Sequence, residues 1–449
     1  MARFCDKCGT QINEGAKFCP GCGAAAEIAP VPAPQQQPVL PSQQQAYAPP
    51  PQQAYAPPPQ QYYGPPQAPK KKFPLWLIIV IAAAAVVCVF AVVGNTAAEK
   101  NADEGYTEET VVVTVDTNTE VTEEEPAAED EPIVPEPGTF TEYPIIVGEG
   151  TDFPLNAKIT IPDDATGKVP AVVLVHGDGD FDMDEEVLGN RPFRDIAEYL
   201  SSYGIAVIRY DKRNFKYWAK MKETFGGGMT AYDAVMEDAI LATELIKSDP
   251  RIDENRVYIL GHSFGAFVAP RIHTEGGDFA GMISFSGSCS SFIDFQANKY
   301  LYDASFMPEG QEKEDEIQRW EKFRRDMKSY FNTASDDELK SQQWGQFTMY
   351  YYADVEKHPS AGYIKNMTIP ILVLQGSEDF AVVADVEFPA WQELLAGRTN
   401  ATFKLYEGLN HFLFPSAGYG EEDWEKEYGA PGHTDEQVLK DIVEWVHLN

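Results

Sequence analysis

Residues 256–266 read RVYILGHSFGA: an apolar strand-like run, a Gly-x-Ser-x-Gly turn, then the start of a helical pattern. That order is what a nucleophile elbow requires. Gly261 and Gly265 would let backbones approach closely around a strained Ser263. A helix starting just after the serine would aim its positive end at negative charge developing there. Gly-x-Ser-x-Gly alone recurs by chance, and here the flanking strand and helix supply its meaning. Ser263 is therefore the expected nucleophile.

Outward from the elbow, strand-like runs alternate with amphipathic stretches. The strand candidates are LNAKITIP (155–162), VPAVVLVHG (169–177), GIAVIRYDK (204–212), RVYILGHS (256–263), GMISFSGS (281–288), IPILVLQGSED (369–379) and TFKLYEG (402–408). Helical patterns fall at 192–202, 230–247, 264–273, 385–396 and 435–447. Such alternation predicts a mainly parallel α/β sheet flanked by helices, with its site at the C-terminal strand ends.

Each remaining polar motif falls at such an end. LVHGDGDFDMD (174–184) follows an early strand, where a loop N–H completes an oxyanion hole, so the backbone amides of Asp178 and Phe264 are the expected donors. The alternating aspartates there invite comparison with a Ca²⁺ loop, but Met183 and Gly189 occupy the positions where that pattern needs Gly and Glu. LVLQGSEDFAV (372–382) places Asp379 after a later strand, in the chain order Ser, Asp, His, with Glu378 as its rival. YEGLNHFLF (406–414) places His411 after the last strand. Of the seven histidines, His176 and His262 belong to other motifs, and His273 and His447 lie in helical patterns. His358 lies in an insertion and His433 in a Gly/Pro loop, which leaves His411 as the expected base.

Together HGDGDFDMDE, YDKRN, the run ending RVYILGHSFGA, QGSEDFAV and GLNHFLF resemble bacterial α/β-hydrolases of the dienelactone-hydrolase and acyl-esterase-like group, over roughly residues 143–449. The resemblance implies an α/β-hydrolase fold with Ser263 as nucleophile, His411 as base and Asp379 as orienting acid. Two positions depart from the group's pattern: Asp178 stands where a small residue is usual, and Asn214 where glycine follows Asp211-Lys212-Arg213. The first would put an anion near the site and disfavour anionic substrates; the second concerns the shape of the loop. Residues 289–368, including the amphipathic EIQRWEKFRRDMKSYF, are expected to form a helical cap insertion over the nucleophile.

The rest of the chain is of other kinds. FCDKCGTQINEGAKFCPGCG (4–23) carries two Cys-x-x-Cys pairs, each followed by glycine. Cys5, Cys8, Cys19 and Cys22 would close a structural Zn²⁺ site with no open position for chemistry, and residues 1–28 resemble a zinc ribbon. Catalysis by the triad is expected to need no cofactor. Residues 29–72 are rich in Pro and Gln and repeat QQAYAPPP, a disordered linker. The ribbon or this linker could meet a cytoplasmic protein partner, although a plain spacer is the simpler reading.

Residues 73–94, FPLWLIIVIAAAAVVCVFAVVG, carry no charge and follow Lys70-Lys71-Lys72. They predict a single-pass transmembrane helix with the N-terminus cytoplasmic and the hydrolase domain extracellular. A signal peptide is disfavoured by the long preceding segment. Residues 95–142, with fifteen acidic residues and one Lys, read as an acidic stalk. A formal net charge of −35 argues against nucleic acid as a partner.

The function these features predict is hydrolysis of a small acyl ester or thioester. A serine peptidase or acyl-peptide hydrolase on the same triad is the second reading, and a non-catalytic membrane sensor built on the fold is the third.

Overall fold

The strands near the elbow are apolar throughout because both of their faces are covered, as parallel sheets demand. The computed structural model describes Arg3–Phe4, Gln11–Ile12 and residues 136–449. In the C-terminal unit, eight strands form one sheet: β1 (Phe140–Val147), β2 (Leu155–Pro162), β3 (Val169–Val175), β4 (Ala206–Tyr210), β5 (Ile252–His262), β6 (Gly281–Phe285), β7 (Ile371–Gly376) and β8 (Ala401–Tyr406). Their order across the sheet is β8-β7-β6-β5-β3-β4-β2-β1. β3 to β8 run parallel, and β2 is antiparallel to both β4 and β1. This is the expected α/β-hydrolase architecture.

Alternation along the strands divides the core into two layers. Val172, Leu174, Val207, Leu260, Ile283 and Leu374 pack on one face against α1 (Pro192–Ser202) and α12 (Glu436–Leu448). Val173, Val175, Ile208, Ile259, Met282 and Val373 pack on the other. There they meet α3 (Glu237–Lys247), α4 (Phe264–Ile272) and α10 (Ala384–Leu394), with Trp391 of α10 wholly buried. Burial of a side chain of that size is worth a few kcal/mol, of order ~3.

An edge strand of the sheet and a helix beside it differ from the sequence reading. The sheet gains β1, which starts inside the stretch read as stalk. Its Glu142 accepts from Arg209 Nη2 at 2.6 Å, while Arg209 Nε donates to Asp184 Oδ1 at 2.8 Å. Burial works against Glu142's charge, but Lys158 and Arg209 outweigh it and hold the carboxyl below its ordinary value. The other addition is α2 (Arg213–Phe225), which follows β4 directly and has non-helical backbone at Tyr217.

The expected single-pass membrane placement is corrected. No helix among the described residues is long and apolar enough to cross a membrane, and residues 73–94, on which the expectation rested, lie outside the described residues. The zinc-ribbon cysteines, the 29–72 linker and the stalk up to residue 135 also lie outside them. In the N-terminal unit, Arg3–Phe4 and Gln11–Ile12 pair antiparallel.

Candidate active site

β5 ends at His262 and α4 starts at Phe264, so the whole turn between strand and helix falls on Ser263. Its backbone sits at φ 52 and ψ −115, a conformation that costs a non-glycine residue on the order of 1–3 kcal/mol. The flanking glycines make the turn fit. A Cβ on Gly261 would lie 2.3 Å from the Gly265 carbonyl carbon, and one on Gly265 would lie 2.1 Å from Val175 O. The Ser263 N–H donates to Phe285 O at 2.9 Å, which fastens the elbow to β6. The Ser263 side chain is only partly buried.

Beyond β7 the chain turns sharply, and Asp379 points inward while Glu378 is exposed. Asp379 Oδ1 accepts from the N–H groups of Ala381 (2.9 Å) and Val382 (2.8 Å). Oδ2 accepts from Gln375 Nε2 and from His411 Nδ1, both at 2.8 Å. Both oxygens are thus held, and the bond to Nδ1 leaves His411 Nε2 as the nitrogen free to accept a proton. His411 rests against the elbow: its carbonyl oxygen lies 3.2 Å from His262 Nε2, and the two imidazole centroids lie 4.7 Å apart. Of the two carboxylates open in the sequence, Asp379 is the one bonded to His411.

The turn carrying His411 is organised by Asn410, whose Oδ1 accepts from the N–H groups of Phe412 (3.1 Å) and Phe414 (3.2 Å). Asn410 Nδ2 donates to Glu427 Oε1 at 2.9 Å. Burial opposes the Glu427 charge, yet hydrogen bonds from Asn410, Tyr419 N–H and Ala417 N–H hold its carboxyl below the ordinary range. Sequence reasoning assigned no role to Asn410, Glu427 or Gln375. Asn410 adjoins the histidine within a motif, and that was the only available signal.

The two expected oxyanion donors stand on separate elements. Phe264 is the first residue of α4, so its N–H has no intrahelical partner. Asp178 lies in the loop after β3, and its side chain is exposed, with Oδ1 accepting from Gly179 N–H at 3.1 Å. Lys212 holds this loop from behind, its Nζ donating to Gly177 O (2.5 Å) and Gly179 O (2.8 Å). A trans peptide points its N–H opposite to its carbonyl, so drawing Gly177 O toward Lys212 turns the Asp178 N–H away from it. Burial pushes the Lys212 ammonium down, against the opposing charges of Asp178, Glu185 and Asp180.

Asn214, the departure from glycine, donates to Gly179 O (3.1 Å) and Asp180 Oδ1 (2.6 Å), which fastens the loop a second time. The alternating aspartates are taken up by protein groups. Asp182 Oδ1 accepts from Asp184 and Glu186 N–H, Asp184 pairs with Arg209, and Asp180 bonds Asn214. Among the described residues no cluster of three or more His, Cys, Asp or Glu is arranged to hold a metal.

Residues 170–415 match the family model described as serine aminopeptidase, S33, a stretch of more than half the chain. The chain belongs to the serine aminopeptidase S33 family. Esterase EstD from Thermotoga maritima is 32% identical over 311 residues, covering 69% of this chain and 68% of the relative. The chain is an α/β-hydrolase enzyme of the esterase type. Residues 4–25 match the zinc-ribbon domain. Among solved structures, Est1E from Butyrivibrio proteoclasticus is 16% identical with a TM-score of 0.41, over 68% of this chain and 96% of that one. The acylaminoacyl peptidase of Pyrococcus horikoshii is 17% identical with a TM-score of 0.38, over 61% of this chain and 38% of that one.

In this S33 hydrolase the excursion between β6 and β7 is helical: α5 (Phe292–Ser305), α6 (Gln311–Thr333), α7 (Asp336–Ser341), α8 (Met349–Lys357) and α9 (Ser360–Ile364). A hairpin of Gln343–Trp344 with Phe347–Thr348 lies between α7 and α8. From it Gln346 Nε2 donates to Asp180 Oδ1 at 2.7 Å, so the excursion touches the loop after β3. Tyr351 of α8 stacks on Phe347 at 3.9 Å and lies 6.4 Å from Phe264. Ser360 Oγ donates to Phe267 O at 2.5 Å, anchoring α9 to the helix that follows Ser263. Lys299 of α5 pairs with Glu421 at 2.6 Å, ahead of α11 (Trp424–Tyr428).

Proposed function

We propose that this S33 hydrolase cleaves carboxylic ester or thioester bonds through Ser263, His411 and Asp379. His411 Nε2 takes the hydroxyl proton as Ser263 Oγ attacks the acyl carbon, and Asp379 keeps the imidazole in the required tautomer. The N–H groups of Phe264 and Asp178 receive the oxyanion, the alcohol or thiol leaves with the proton from His411, and water resolves the acyl-enzyme. The observation that carries this reading is the 2.8 Å bond from His411 Nδ1 to Asp379, beside an elbow that holds Ser263 at φ 52. Contacts of the 289–368 excursion with Asp180 and Phe264 support its role as a cap that shapes the acyl pocket and excludes water. The zinc-ribbon match supports Cys5, Cys8, Cys19 and Cys22 as ligands of a structural zinc ion.

The test is hydrolysis of p-nitrophenyl esters of increasing acyl length alongside aminoacyl-p-nitroanilides, with Ser263→Ala as control. Esters should be turned over in preference to anilides. Ser263→Ala should lower ester turnover by about 10⁴-fold or more and abolish labelling by a fluorophosphonate. Labelling that survives in the variant would overturn the assignment.

A further inference from the structure

Behind the expected oxyanion loop, the buried Glu185 joins three segments that the proposed chemistry needs in register. Its Oε1 accepts from Gly177 N–H at 2.7 Å and from His262 Nδ1 at 3.0 Å. His262, the residue before Ser263, places its Nε2 3.2 Å from the carbonyl oxygen of His411. One carboxylate thus reaches the loop after β3 directly, the elbow through His262, and the base-bearing loop through the far side of the same imidazole. The junction is tight, since a Cβ on Gly177 would lie 3.1 Å from Ser263 Cβ, 3.2 Å from His262 Nδ1 and 3.3 Å from Glu185 Oε1.

Glu185 carries local costs in free energy. Glu185 is wholly buried, its backbone sits at φ 53, and its Oε2 has no hydrogen-bond partner among the described residues. A strained backbone and a half-satisfied buried carboxylate both cost free energy, and such costs gather where function requires them. Burial opposes the charge, but the charge and hydrogen bond of His262, with the Gly177 N–H, hold the Glu185 carboxyl below its ordinary value. Lys212 complements it: Glu185 holds the N–H of Gly177 and Lys212 holds its carbonyl. The peptides on both sides of Gly177 are therefore fixed, including the one whose N–H belongs to Asp178.

We infer that Glu185 is a positioning residue that, with His262, holds the Asp178 N–H in place for the transition state and locks the oxyanion loop to the segment bearing His411. It touches no substrate atom. Its effect falls on kcat, because a donor aimed at the oxyanion acts in the transition state more than in the bound ground state.

The inference rests on the Ser263 reading, and one set of full-chain variants separates the two. With p-nitrophenyl acetate, Glu185→Ala should lower kcat by at least about tenfold with KM little changed. It should weaken inhibition by a trifluoromethyl ketone, a tetrahedral mimic, by a similar factor. Glu185→Gln, which keeps an oxygen for Gly177 N–H, should recover most of both. His262→Asn, which loses the reach to the His411 carbonyl, should lower both in parallel and decides the matter if Glu185→Ala does not fold. Unchanged kcat in Glu185→Ala, or in His262→Asn when that variant decides, would overturn the inference. So would a drop in kcat without loss of ketone affinity, or one that Glu185→Gln does not lift. If Ser263→Ala is inactive while Glu185→Ala is fully active, only this inference fails; if Ser263→Ala retains activity, the Ser263 reading fails with it.

Discussion

The strand-end floor and the helical excursion above it are built by different means. The floor is fixed by backbone: Ser263 is bonded to Phe285 O, and Gly261 and Gly265 sit where no Cβ fits. The excursion is held by side chains. Ile293, Met327, Phe331, Leu339 and Ala353 form a small cluster of their own, and surface pairs such as Lys328–Asp294 and Lys299–Glu421 surround it. Such pairs contribute on the order of 1 kcal/mol or less each in water. The floor should therefore tolerate little change and control the chemistry, whereas the excursion should tolerate much and control which acyl group enters.

Asp379→Asn tests the floor most severely. It keeps the shape but disturbs the tautomer of His411, so kcat should fall by roughly 10⁴-fold while the melting temperature moves little. A loss below tenfold would mean that another group orients His411. Phe331→Ala tests the excursion. Truncating this buried ring should cost about 3–5 kcal/mol locally, read as earlier loss of protection from proteolysis between residues 289 and 368. KM for long acyl chains should rise while kcat for acetate holds. An equal fall in kcat for acetate would erase the distinction between the two regions.

The smallest expected effect is a pH dependence within the floor. Burial pushes the His176 imidazole down to about 4, with the charge of Glu185 only partly opposing. Between that value and the ordinary one the unfolded chain binds a proton that the folded chain does not, so stability rises with pH. The contribution is fully present above about 6.5 and is lost as the pH falls through about 4, a total of about 3 kcal/mol. Denaturant unfolding from pH 7 to pH 4 should show that loss in the native protein and less of it in His176→Phe.

Much of the fold was legible because its signals are local. LNAKITIP is β2 at both ends, and the 192–202 pattern is α1 at both ends. β1 was missed because FTEYPIIV is a partly exposed edge strand adjoining an acidic run, with no clean alternation. α2 was missed because RNFKYWAKMKETF buries few side chains and is interrupted at Tyr217. At the site, Ser263, Asp379 and His411 were named from strand ends and chain order, yet Glu378 could not be separated from Asp379 until one was exposed and the other buried against His411. Glu185 had no signal, since it is one acid in an acid-rich loop and its partner His262 lies 77 residues away.

What the sequence determined by itself is the chemistry on offer: a serine between glycines flanked by a strand-like run and a helical pattern, an acid and a histidine in the right order, and four thiols spaced for zinc. Those are statements about residue type and spacing, which local sterics and periodicity impose. The tertiary structure alone decided which carboxylate bonds His411, what holds the Gly177–Asp178 peptide, and that the excursion reaches Asp180 and Phe264. These depend on side chains brought into hydrogen-bond or ring contact across large separations in the chain, and no local propensity encodes such contacts.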